Sequence, residues 1–123
     1  MKLNELIEKI TVLRGQQYGT EMIMGWINEI EGQVIEEVIN QAEGFDIEFR
    51  PLDYQLDAEK ELSIPDRFQD VYINYLLSKV DFHNEETERY NNDVIMYNAA
   101  YENYAAWFRR QHRAKTTVMF TRF

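Results

Sequence analysis

Apolar residues recur three and four positions apart along most of this chain, the period of helices that bury one face. Leu3, Leu6, Ile7 and Ile10 mark a first helix over about 3–13, with Asn4 available as a cap and Gly15 as a C-terminal stop. A second helix is predicted over 20–41. Thr20 serves as N-cap, and Glu21 sits where the positive helix end favours an acid. Ile23, Trp26, Ile27, Ile30, Val34, Val38 and Ile39 form its broad apolar face, and Glu29, Glu31, Glu36 and Glu37 read as lying mostly off it. Gly25 and Gly32 weaken the helix and suggest a close helix–helix crossing. A third helix follows over 66–82, with Asp66 as cap and Gln69 completing a capping box. Phe68, Val71, Tyr72, Tyr75, Leu76, Lys79 and Phe82 share its face. A polar turn at 83–86 leads into a fourth helix over 85–111. There Tyr90, Val94, Tyr97, Tyr101, Tyr104 and Phe108 form a 4-3 seam, five of whose six members are aromatic. So short a turn makes the third and fourth helices an antiparallel hairpin.

Two stretches break the helical period. In 42–65, Phe45, Ile47 and Phe49 alternate with Asp46, Glu48 and Arg50 until Pro51 interrupts, so any strand there lies at an edge or ends. A connection of this length suits either a solvated acidic loop or a loop projecting to a neighbour, with Phe45, Phe49 and Tyr54 as contacts. In 112–123, "KTTVMFTRF" is rich in strand formers. That tail either folds back on its own core or offers Val118, Phe120 and Phe123 to another chain's sheet edge or groove. The fold class expected is all-α: one domain over 1–123, a bundle of about four helices with a protruding loop at 42–65 and an extended, strand-prone tail at 112–123.

Charge changes the picture at one end. Net charge is −9, but residues 1–88 carry −13, residues 89–108 carry −1, and residues 109–123 carry +5 with no acid. An acidic body repels nucleic acid, while Arg109, Arg110, Arg113, Lys115 and Arg122 could reach either nucleic acid or the acidic body of a neighbour. No apolar run is long enough to cross a bilayer, and no membrane partner is expected. The absence of cysteine excludes disulfides and Cys-based zinc sites and fits a cytosolic setting.

Candidate chemistry is thin. A di-iron bundle needs Glu three residues before each His; Val80 and Arg109 stand before His83 and His112 instead. His83 with Glu85 and Glu86 reads as a polar surface turn in preference to a metal site. Neither Ser63 nor Ser78 sits in a nucleophile elbow, and no glycine-rich phosphate loop is present. No catalytic activity, metal or cofactor is expected. The aromatic seam lacks the cations of a base-stacking platform, since Arg89 alone flanks it against Asp93 and Glu102. It is therefore expected to face protein, and Trp107, lying off the seam, is the leading candidate for an intersubunit anchor.

Two stretches go further by likeness. "ITVLRGQQYGTEMIMGWINEIEGQVIEEVI" and "ELSIPDRFQDVYINYLLSKVDFHNEETERYNNDVIMYNAAYENYAAWF" resemble the two halves of head–tail connector (adaptor) proteins of tailed phages and prophages of Gram-positive bacteria. The order "IPDRFQDVY", "ERYNND" and a Tyr-Asn-x-Ala-Tyr run carries most of the likeness, and Gly15 departs from it where the family has Lys or Pro. The resemblance covers about 1–110 and leaves 112–123 unmatched. It implies a virion structural protein made in the host cytoplasm, in a ring of about a dozen copies. That ring sits beneath the portal protein, carries the next neck or tail component, and extends a channel through which genomic DNA passes unbound. The rival from another class is a small helical regulator binding nucleic acid through 109–123.

Overall fold

The computed structural model describes residues 1–115, and these are all-helical apart from connections. In chain order the α-helices are α1 (Leu3–Arg14), α2 (Thr20–Glu37), α3 (Tyr54–Asp57), α4 (Asp70–His83) and α5 (Thr87–Gln111). Short 3-10 turns at Ile39–Gln41 and Asp66–Phe68 extend α2 and precede α4. The expected bundle is present, with one short helix more than the pattern predicted. None of the described helices is long and apolar enough to cross a membrane.

The core is one cluster centred on α2. Ile27, Ile30 and Val34 are wholly buried there, against Leu3 and Leu6 of α1 and Val71, Tyr72 and Leu76 of α4. Helices α4 and α5 form the predicted hairpin, and their rings pair in reverse order along the seam. Phe68 meets Tyr104 at 5.6 Å, Tyr75 meets Tyr97 at 5.3 Å, and Phe82 meets Tyr90 at 5.4 Å. Aromatic pairs at such spacings add to plain area burial. The hairpin turn is tight because Glu85 adopts the left-handed φ of 58° that lets three amides fold back onto the end of α4.

Several local expectations are corrected. Thr20 lies inside α2; Gly19 takes the cap position, and no side chain caps it. The Asp66 side chain does not cap a helix; it binds the Met1 amino group, while Gln69 donates to the Asp66 carbonyl at 3.0 Å. Gly25 faces open space, and what approaches Gly32 is the Phe49 ring, 3.2 Å from where a Cβ would stand, so neither glycine marks a helix crossing.

The segment 42–65 forms no strand, and parts of it are anchored on the body. Leu52, Leu62 and Ile64 are buried, and Asn28 holds Leu52 through both backbone groups at 2.8 and 3.2 Å. Alternation at 45–49 thus reflects an irregular segment laying alternate side chains on a helical core. Between these anchors most of the segment is exposed, Leu56 by 84%. The first residues of the tail turn extended and pair with the chain itself: Glu43 N–H donates to Arg113 O at 2.7 Å and Lys115 N–H to Gln41 O at 2.9 Å. Val118, Phe120 and Phe123 lie outside the described residues.

Candidate interaction surface and buried carboxylates

The aromatic seam of α5 faces the chain's own core. Tyr104 and Phe108 are buried and Tyr90, Tyr97 and Tyr101 half-buried. Polar groups of α2 meet their hydroxyls: Tyr101 donates to Glu37 at 2.8 Å, Gln33 reaches Tyr97 at 3.5 Å, and Tyr75 of α4 donates to Glu29 at 2.8 Å. Burial pushes each of these phenols up, Tyr97 to about 12.

Beneath the seam lie carboxylates that the sequence pattern concealed. Glu31 is buried at the junction of α2, the 63–64 segment and α4. It accepts from the Ser63 amide at 2.8 Å, from the Ser63 hydroxyl at 2.7 Å and from the Tyr72 hydroxyl. Tyr72 in turn accepts from the Ile64 amide at 3.0 Å. Three neutral donors therefore meet the buried carboxyl oxygens, and burial with the nearby Glu31 drives the Tyr72 phenol far up. The apolar pattern of α2 leaves Glu31 among the acids off its buried face, and the structure corrects this. Its place four residues after Ile27 and three before Val34 was the available signal.

A second junction joins α1, α4 and α5. Asp81 is wholly buried, and Arg14 grips it through two bonds, Nε to Oδ1 at 3.0 Å and Nη2 to Oδ2 at 2.9 Å. Burial alone would raise the Asp81 carboxyl, but hydrogen bonds from Arg14 and Asp93 hold it below the usual carboxylate range. Asp93 is buried beside it, and its Oδ2 meets no donor among the described residues. Burial, and then the hydrogen bond and charge of Asp81, push the Asp93 carboxyl up to about 7 against the opposing pull of Arg14 and Arg89. The raised carboxyl of Asp93 thus lies against the lowered one of Asp81, and Arg14 is the cation that both face. With Asp81 saturated and enclosed, this arrangement works as a latch between helices.

The residues expected at an interface separate into groups. Trp107 is half-buried, with its ring on Phe68 at 5.1 Å and the Arg67 guanidinium over it at 5.1 Å. Phe45 packs on Phe108 and His112, and Phe49 lies over Gly32, so both turn inward. Tyr54, Arg109, Arg110 and Arg113 are exposed, and Arg113 reaches Glu43 at 3.8 Å. The expectation missed Val12, Leu56, Phe82, Ile95 and Met96, large apolar side chains that are all half or more exposed. His83 stacks on Trp26 at 5.5 Å, an aromatic packing role. Comparison with protein-family models, with curated proteins and with solved structures finds no match.

Proposed function

We propose that the chain is a non-catalytic structural subunit of a phage head–tail connector, assembling with copies of itself and with the portal protein. One observation carries the reading. The two stretches whose motifs resemble that family, 10–39 and 61–108, fold into a single frame of α2, α4 and α5 locked at Glu31 by Ser63 and Tyr72. Around that frame the chain turns outward the features suited to protein contacts: Leu56 and Tyr54 on the 42–65 segment, and the basic end of α5 opposite an acidic body. An acidic subunit also fits a channel that passes DNA without gripping it.

Co-purification with the portal protein encoded in the same genome tests this, read by light scattering and electron microscopy. A ring seated on the portal is the expected result. A chain that ignores the portal but binds duplex DNA, with affinity falling steeply as salt rises, overturns it in favour of a nucleic-acid regulator acting through 109–123.

A further inference from the structure

The face of α5 opposite the aromatic seam has an order of its own. Glu88, Asn92, Ile95, Ala99, Asn103, Ala106 and Arg110 are all exposed. At about 100° per residue they fall within about 40° of one line, and the seam residues centre about 180° away. This outer stripe is symmetric in spacing about Ala99: 4, 3, 4 residues in one direction and 4, 3, 4 in the other. Its middle is short of charge. Between 91 and 106 the one exposed charged residue is Glu102, in a chain that is 28% charged overall. Ile95 stands 66% exposed and its neighbour Met96 50%. Charge returns at both ends with opposite sign: Glu88 near the start of α5, Arg109 and Arg110 near its end. None of these three makes an ion pair among the described residues.

We infer that two copies of this chain pair through the outer face of α5, antiparallel, with Ala99 at the two-fold axis. In that register Glu88 meets Arg110 of the other copy at each end. Asn92 lies opposite Ala106, Ile95 opposite Asn103, and Ala99 opposite Ala99. The small side chain at the axis lets the two backbones approach closely. A parallel pairing would instead set Glu88 on Glu88 and Arg110 on Arg110, so charge alone selects the antiparallel form. The contact runs about 33 Å along the helix. Its side chains are small, which places it among the weaker interfaces, so it is populated in concentrated protein. An isologous pair closes on itself, whereas a ring needs heterologous contacts. The inference therefore concerns the free protein and does not rest on the connector reading.

Sedimentation equilibrium of the full chain over rising concentration tests it. A monomer–dimer equilibrium is expected, weakened more than about tenfold by Ile95→Glu or by Arg110→Glu. Combining Arg110→Glu with Glu88→Arg restores it. All these positions are exposed, and unchanged helicity and melting temperature verify that the variants fold. Orientation is read by cross-linking, which the absence of native cysteine makes clean. Ala99→Cys chains form a disulfide dimer with themselves. Asn92→Cys and Ala106→Cys chains cross-link when mixed but not separately. A chain that stays monomeric at every concentration, grows into open-ended oligomers, or lets Asn92→Cys cross-link to itself overturns the inference.

Discussion

Glu31 and Asp81 are both carboxylates buried at helix junctions, yet they are stabilised in different ways. Glu31 is met by an amide and two hydroxyls, all neutral donors already fixed by the chain. Asp81 is met by a guanidinium and by a second acid, so its environment depends on how many protons Asp93 holds. A buried pair of acids whose carboxyls are pushed in opposite directions makes stability depend on pH. The first junction fixes which elements touch, and the second makes the hairpin's turn end responsive.

The largest effect is expected from removing the satisfied acid. Glu31→Ala leaves the Ser63 and Tyr72 donors stranded in a packed core and should cost about 4 kcal/mol in urea unfolding. Asp81→Ala should cost less, about 3 kcal/mol, because losing the Arg14 bonds is partly offset by relief of Asp93. An equal or larger loss at Asp81 would erase the contrast between the junctions.

Proton linkage sharpens it. Asp93 is raised in the folded state, so its contribution is full below the ordinary carboxylate range and is lost as pH rises through about 7. Asp81 is lowered, so its contribution is present above that ordinary range and is lost as acid titrates it. Asp93→Asn replaces the titrating carboxyl with an amide. The variant should gain about 3 kcal/mol more over the native chain at pH 8 than at pH 5, seen as a flattened slope of melting temperature against pH. Parallel slopes would mean that Asp93 is already ionised in the fold. The smallest change is a control away from both junctions. Gly25→Ala meets nothing within 4 Å on α2 and should stabilise by about 1 kcal/mol through helix propensity, with no pH dependence.

Much of the helical frame was legible because amphipathic periodicity is a local property. The ends of α1 and α5 fall within two residues of the pattern, and the seam's inward turn follows from its spacing and its lack of cations. Misreadings occurred where a distant group decided the outcome. Phe45, Ile47 and Phe49 alternate like a strand, but among the described residues no strand lies beside them to pair with. Asp66 looks like a cap until the Met1 amino group takes its side chain. Nothing in the sequence marks Glu31, Asp81 or Asp93 as buried, because a carboxylate looks the same there whether water or Arg14 faces it. Exposure was legible in part: charge marks the basic end of α5 as outward, whereas nothing among the neighbouring asparagines marks Ile95 and Met96 as exposed.

The sequence by itself determined the four longer helices, the hairpin and the split between an acidic body and a basic end, because each depends on residues within a few turns of one another. Only the tertiary structure decided which acids are buried, which aromatics remain outward, and that parts of 42–65 are anchored on the body. Those outcomes depend on partners more than twenty residues away, such as Arg14 with Asp81 or Glu31 with Tyr72, and local periodicity carries no information about such pairings.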